Sequence, residues 1–310
     1  MIELRLLRTF LAVANEGNIS KAASLLGMAQ PPVTRQIAAL ETALGARLFE
    51  RLPRGVRLTD AGMAMAKEAQ TLLDHHDAML DKVARTSRGE LGHLAVGFTP
   101  SAISHSMVAP MLRAFQQTWP GAELTFRENN TSPLLSEVAT GRLDVAFVRT
   151  PGELPLGVKT ELLFDEPMIV AFPRDHVLAT TSADQAVSLA MLKDADFVMY
   201  RNPHNPGFHA RVLEACRVEG YEPREAHVVP QMISALNLIE AGMGLSVFPA
   251  SMARFTSDQS AIRPLAPIHG LTAPLLIAFT RLPMGQCKKN FITLARNLIR
   301  QAPGSHYPVL

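Results

Sequence analysis

The chain is poor in the residue types that mark exported scaffolds, membrane proteins and common hydrolases. Its two cysteines, Cys216 and Cys287, stand far apart in 310 residues and form no Cys-x-x-Cys pair. Neither a disulfide framework nor a thiolate metal site is therefore expected, and both thiols should be reduced, with a redox switch as the sharper alternative. No run of about eighteen apolar residues occurs, so no membrane span is expected. Charged and polar residues interrupt the N-terminal stretch, so no secretory signal and a cytoplasmic location are expected. Charge of one sign is missing too, with 30 Lys and Arg against 28 Asp and Glu. That balance argues against a protein that coats polyanions indiscriminately. No Ser-His-Asp order or phosphate loop stands out. His75 and His76 are adjacent and diverge on a helix, while His204 and His209 lack a Glu or Cys at metal spacing. Enzymatic chemistry, a cofactor and a metal are all unexpected on these grounds.

What is present begins near the N-terminus. Leu7, Phe10, Leu11 and Ala14 recur at the spacing of one helical face, and Asn15 to Asn18 end that helix with turn formers. Ser20 is the expected N-cap of a second helix through Ala22, Ala23, Leu25 and Leu26, stopped by Gly27. Pro31 and Pro32 fit only the first turn of a third helix. There Val33, Ile37, Leu40 and Leu44 form the inner stripe, while Pro31, Thr34, Arg35 and Ala38 lie opposite. Gln30 and Arg35 are placed to reach base edges, with hydroxyls and N-terminal N–H groups meeting phosphates. Arg51, Arg54 and Arg57 flank a Pro-Arg-Gly turn, as phosphate or minor-groove contacts of a wing would. Residues 1 to 60 hold eight basic and five acidic side chains, a modestly basic segment on a near-neutral chain. Short amphipathic helices joined by a turn also occur in proteins that never meet DNA, and each arginine alone reads as a solvated charge.

These residues carry a family resemblance. Leu7-Arg8-Thr9-Phe10, Ser20-Lys21-Ala22-Ala23, Gln30-Pro31-Pro32-Val33-Thr34-Arg35-Gln36-Ile37, Leu40-Glu41, Leu44-Gly45, Leu48-Phe49 and Leu58-Thr59 with Gly62 resemble the winged helix-turn-helix of LysR-type transcriptional regulators. The resemblance implies that Ser20, Gln30, Pro31, Pro32, Thr34 and Arg35 contact operator DNA from the recognition element, with Arg54 in the wing. The Pro-Pro-Val-Thr-Arg-Gln run is similar to the branch that controls breakdown of benzoate, catechol, chlorocatechol and muconate.

From Thr59 or Asp60 one long helix is expected to reach about Thr86. Met65, Leu72 and Met79, then Ala69, His76 and Val83, then Ala66, Leu73 and Leu80 repeat every seven residues, giving one stripe for a second copy of the helix. Packing against its own domain is the competing reading. Ser87 to Gly92 reads as a hinge.

Beyond residue 91, strands alternate with helices, which predicts a mainly parallel sheet. Strands are expected at Leu94–Phe98, Leu124–Arg127, Leu143–Val148, Met168–Phe172, Phe197–Tyr200, His227–Val229, Leu245–Phe248 and Ala273–Phe279. Ligands bind outside the carboxyl ends of strands in such sheets. That rule singles out Ser101, Thr131, Arg149, and Asn202 through Phe208. Plain helix capping is the competing reading of Ser101 and Thr131, a structural ion pair that of Arg149 and a hydrophobic wall that of Phe208.

Trp119-Pro120-Gly121, Gly141-Arg142-Leu143-Asp144-Val145-Ala146 and Ala241-Gly242-Met243-Gly244-Leu245 with Pro249 extend the resemblance to the family's effector domain, which has the fold of periplasmic solute-binding proteins. It implies two subdomains, about 91–165 with 268–301 and about 166–267, the chain crossing near Asp165–Met168 and Pro264–Gly270. Ser101, Thr131 and a Pro206-Gly207-Phe208 loop match the positions that hold carboxylates in muconate- and benzoate-type members. The expected architecture is thus an all-α winged helix-turn-helix over 1–59, a linker helix and hinge over 60–90, and a two-subdomain α/β effector domain over 91–301. The expected function is effector-controlled transcription regulation of a catabolic operon. Expected partners are double-stranded operator DNA, a small aromatic or dicarboxylic acid, further copies of the chain as dimer or tetramer, and RNA polymerase. The alternatives are a regulator of the same family responding to redox state or another metabolite, and a cytoplasmic solute-binding protein.

Overall fold

The apolar spacing at the N-terminus closes into a three-helix core in the computed structural model, which describes residues 2–149, 153–201, 207–268, 270–281 and 285–301. Helix α1 spans Leu4–Glu16, α2 Ile19–Leu25 and α3 Gln30–Leu44. Leu7, Phe10 and Val13 of α1 pack with Ala22 and Ala23 of α2 and with Val33, Ile37 and Leu40 of α3. Each large side chain buried this way contributes about 1.5–3 kcal/mol. Strands β1 (Phe49–Leu52) and β2 (Gly55–Leu58) pair antiparallel around Pro53 and Arg54 to form the wing.

Helix α4 follows as Asp60–Ser87. Thr59 caps it, accepting from the Gly62 N–H at 2.9 Å and donating its hydroxyl to the Arg47 carbonyl at 2.7 Å. The single continuous seam read from the heptads does not form within the chain. Ala69 and Leu73 are buried in the three-helix core, with Met65 and Ala66 packed beside them. Further along, Leu72, Met79, Leu80 and Val83 stay about half exposed. The first turns of α4 serve their own unit, and the later turns have left that core behind. Two compact units result, Met1–Arg85 and Thr86–Leu310. The helix expected as a separate connector therefore belongs mostly to the first unit.

The second unit runs β3 (Leu91–Phe98), α5 (Pro100–Ile103), α6 (Val108–Thr118), β4 (Gly121–Glu128), α7 (Thr131–Ala139), β5 (Val145–Val148), β6 (Val158–Glu166) and β7 (Met168–Pro173). It continues with β8 (Asp196–Tyr200), α8 (Gly207–Val218), β9 (Arg224–Val229), α9 (Met232–Glu240), β10 (Ser246–Pro249), β11 (Ser260–Pro264), β12 (Ala273–Thr280) and α10 (Gln286–Gln301). One sheet has the order β4-β3-β5-β12-β6. In the other half, β10-β7-β11 and β8-β9 are joined by a bridge between Phe197 and Leu245, giving β9-β8-β10-β7-β11. The two halves thus repeat one plan. Alternate residues serve opposite faces: Leu94 and Val96 pack with α6 and α10, while Ala95 packs with α7. In the second half Met168, Val170 and Phe172 meet α8, and Ile169 and Ala171 meet α9.

Among the described strands each sheet of this unit is mainly parallel, as expected, with one strand reversed. β3 is parallel to β4 and β5, and β8 to β9, but β12 runs against β5 and β6, and β7 against β10 and β11. The strand that enters each sheet from the other half, β12 or β7, runs against its new neighbours. The chain crosses between Glu166 and Met168 and returns between Pro264 and Ala273. The hinge reading of Ser87 to Gly92 is revised. The Arg88 carbonyl accepts from Asn290 at 3.0 Å, and the Cys287 thiol faces the Gly89 and Leu91 carbonyls at 3.5 and 3.7 Å, so α10 holds this segment.

Candidate functional site

In the first unit the candidate reading surface is α3 with the wing. Asn18, not Ser20, caps α2, its Oδ1 accepting from the Lys21 N–H at 3.1 Å. Ser20 instead occupies the second helical position, and its hydroxyl donates to Gln30 Oε1 at 3.1 Å. α3 starts at Gln30 with Pro31 and Pro32 in its first turn and no side-chain cap from Ala29. Its N-terminal end is therefore open to an outside acceptor. Arg35 is exposed on the side opposite Val33 and Ile37. The Thr34 hydroxyl turns back to the Gln30 carbonyl at 3.2 Å. Thr9 in α1 donates to Gln36 Oε1 at 2.5 Å, and Glu41 accepts from Leu48 N–H at 2.8 Å and Phe49 N–H at 3.2 Å. These bonds fix α3 against α1 and the root of the wing. Arg54 is exposed at the wing's turn, whereas Arg57 pairs with Glu50 at 2.7 Å.

In the second unit one cavity of about 690 Å³ opens at the carboxyl ends of six strands, three from each half. Thr99 to Ser101 follow β3, Glu128 to Thr131 end β4 and begin α7, and Arg149 follows β5. From the other half come Tyr200 at the end of β8, Pro230 to Ile233 between β9 and α9, and Pro249 of β10. Phe208 in the first turn of α8 also lines it, its ring 6.0 Å from that of Tyr200. The strand-end rule thus locates the cavity.

Neither hydroxyl singled out in the first half is spent on capping. Thr99 caps α5, accepting from the Ala102 N–H at 3.2 Å, and Ser101 lies inside the helix. Thr131 is the first residue of α7, whose N-cap Asn130 makes no side-chain capping bond. The N-cap of α9, Gln231, makes none either. Two helix ends from opposite halves, each with N–H groups uncapped by their own side chains, therefore open into one cavity.

Arg149 is engaged by protein. Its Nη1 donates to the Ala273 carbonyl at 2.7 Å and its Nη2 to the Ser101 carbonyl at 2.8 Å. Nη2 also lies 2.7 Å from Glu166 Oε2, and Glu166 is fully buried. That approach is an ion pair without hydrogen-bond alignment, since Glu166 Oε2 and Arg149 Nε lack hydrogen-bond partners among the described residues. The other carboxylate oxygen of Glu166 accepts from the Ser251 N–H. Ala273 and Glu166 face each other across β12 and β6, at the two points where the chain changes halves. Arg149 thus ties α5 to both crossings. Behind it, His105 stacks on Phe164 at 4.9 Å, and burial followed by the Arg149 charge lowers its pKa to about 4.

Of the residues singled out from sequence, Ser101, Thr131, Arg149 and Phe208 line this cavity. Asn202 and Pro206 lie outside the described residues. Sequence reasoning missed Glu128, Asn129, Tyr200 and Gln231. Asn129 and Gln231 each lie between a strand and a helix, so the same strand-end rule applied evenly would have found them. Burial pushes the Cys216 and Cys287 thiols up, the direction of unreactive sulfur. Among the described residues no His, Cys, Asp and Glu group could hold a metal, and no helix is long and apolar enough to cross a membrane.

Comparison with known proteins places these two units. "Bacterial regulatory helix-turn-helix protein, lysR family" matches residues 4–63, and "LysR substrate binding domain" matches residues 87–296. The transcriptional regulator BudR of Raoultella terrigena is 36% identical over 293 residues, 94% of this chain and all of that protein. TfdS of Cupriavidus pinatubonensis is 36% identical over 252 residues, covering 81% of this chain and 84% of that protein. Full-length CbnR solved with its target DNA superposes with a TM-score of 0.83 at 29% identity, over 96% of this chain and 100% of that one. Full-length BenM gives 0.62 at 28% identity, over 99% and 100%. These relatives are regulators rather than enzymes, as is this protein. The chain belongs to the LysR family of DNA-binding transcriptional regulators, with a helix-turn-helix unit and an α/β effector-binding domain.

Proposed function

We propose that a small organic acid, aromatic or dicarboxylic, is the effector, and that it binds in the cavity between the two halves of the second unit. The observation that carries this is the pair of uncapped helix ends, α7 and α9, facing one space beside the Ser101 and Thr131 hydroxyls. Oriented N–H groups and hydroxyls suit a carboxylate. Phe208, Tyr200, Met232 and Ile233 supply apolar wall for the rest of the molecule. Asn202, by its position after a strand, and Pro206, by family resemblance, belong to the same proposed contact set. Arg149 contributes through the floor it holds.

On the DNA side, Ser20, Gln30, Pro31, Pro32, Thr34, Arg35 and Arg54 form the proposed reading surface. The uncovered Leu72, Met79, Leu80 and Val83 of α4 are the proposed dimer seam, and effector domains supply a second interface in a tetramer. Paired readers imply an interrupted palindrome. Effector binding alters half-site spacing and DNA bend, and through them contact with RNA polymerase at a catabolic operon in the cytoplasm.

A thermal-shift series with benzoate, salicylate and cis,cis-muconate tests the site, alongside footprinting of the gene's own promoter. Ser101→Ala and Thr131→Ala should abolish the acid-induced shift and leave the footprint intact. Equal loss of the footprint in these variants, or stabilisation by none of the acids in the wild type, would sink this reading of the cavity.

A further inference from the structure

The second helix begins two residues earlier than a Ser20 cap would require, and this changes what Ser20 is for. Asn18 satisfies the free N–H of Lys21, so the Ser20 hydroxyl has no capping role. It reaches across to α3 and donates to Gln30 Oε1 at 3.1 Å. Gln30 is exposed, and its backbone carbonyl is held by Thr34. Its amide oxygen therefore turns back toward α2, and its NH₂ group faces away. The second glutamine of α3 is treated alike, with Thr9 donating to Gln36 Oε1 at 2.5 Å. In both cases a hydroxyl on an earlier helix fixes which edge of the amide remains for another partner.

That edge decides which base can be read. A glutamine recognises adenine by accepting from N6 and donating to N7 at once, which requires both ends of the amide. Guanine O6 and N7, and thymine O4, need a donor only. We propose that Ser20 is a positioning residue for sequence readout: it holds the Gln30 carbonyl, so that Gln30 meets the major groove as a donor and selects guanine or thymine over adenine at one base pair of each half-site. The inference rests on α3 being the reading helix.

The test is selection from a random-sequence duplex library by the full-length protein, comparing wild type, Ser20→Ala, Ser20→Thr, Gln30→Ala and the Ser20→Ala/Gln30→Ala double variant. Ser20 is exposed within a helix, and alanine is the stronger helix former, so folding is preserved. Gln30→Ala should erase preference at one symmetric position. At that position Ser20→Ala should raise adenine about tenfold relative to guanine or thymine. Ser20→Thr should keep the wild-type preference, and the double variant should match Gln30→Ala. An unchanged Ser20→Ala motif, an adenine already preferred there by the wild type, or a uniform loss of affinity across all sequences would overturn the proposal. The last outcome would make Ser20 a phosphate contact. A wild-type protein that enriches no sequence at all would instead overturn DNA reading by α3, a distinguishable failure.

Discussion

His105 should make the second unit lose stability as pH falls, and the size of the loss follows from its surroundings. The residue is 1% exposed in the turn between α5 and α6. Its ring stacks on Phe164 at 4.9 Å and its Nδ1 accepts from the Met107 N–H at 3.2 Å. Burial first, and the nearby Arg149 charge second, lower its pKa from 6.5 to about 4. Because the folded value is depressed, the unfolded chain takes up the proton first. The contribution is therefore fully present above about pH 6.5 and is lost as pH falls toward about 4. Between about pH 7.5 and pH 5 that amounts to about 2 kcal/mol. Urea unfolding of the wild type and His105→Asn at both pH values measures it. Asparagine keeps an acceptor for Met107 and cannot titrate, so losses from carboxylates elsewhere cancel in the comparison. The variant should start less stable at the higher pH, through lost packing on Phe164, and should lose about 2 kcal/mol less on acidification. Parallel losses in the two proteins would show that His105 is protonated in the fold and refute the argument.

Three further outcomes follow from single contacts. Gly62→Ala places a Cβ 2.1 Å from the Leu48 carbonyl oxygen, so calorimetry of the N-terminal unit should show a destabilisation of about 1–3 kcal/mol, and an unchanged melting temperature would contradict the close approach. Among the described residues Glu128 is the carboxylate lining the cavity, so Glu128→Gln should tighten binding of an anionic effector by roughly three- to tenfold in calorimetric titration, most for a dianion. Weaker binding would show that Glu128 receives a donor from the ligand. Met79→Glu with Val83→Glu should shift sedimentation toward smaller species, because both residues are more than half exposed on α4. An unchanged species would place the self-association elsewhere.

The helical stripes were legible because burial is periodic. Val33, Ile37 and Leu40 lie inward where their spacing put them, and Leu44 remains 39% exposed at the end of the helix. β6 and β11 were not legible for the converse reason. β6 reads Val-Lys-Thr-Glu-Leu-Leu-Phe-Asp-Glu, with no clean alternation and a register shift opposite Leu275 and Leu276. β11 is five residues long and contains a buried arginine whose partners are backbone carbonyls and Thr181, a use of charge that no local pattern announces. Strand direction was hidden as well. Whether β12 runs with or against β5 depends on where the chain has been, and neither strand's residues record that.

Site residues were legible by position and ambiguous by role. Ser20, Ser101 and Thr131 each stand at the start of a helix, where a hydroxyl most often caps. Each is displaced from that role by a residue within two positions: Asn18 and Thr99 cap by side chain, and Asn130 occupies the N-cap before Thr131. A sequence that places two capping-type residues close together at one helix start has one hydroxyl or amide to spare. In α2 the spare hydroxyl orients Gln30, and in α5 and α7 the spare hydroxyls belong to residues lining the cavity. A redundant capping residue is thus the local signal that separates a candidate contact from a helix cap here. Ser101, beside the capping Thr99, satisfies it independently of any family likeness.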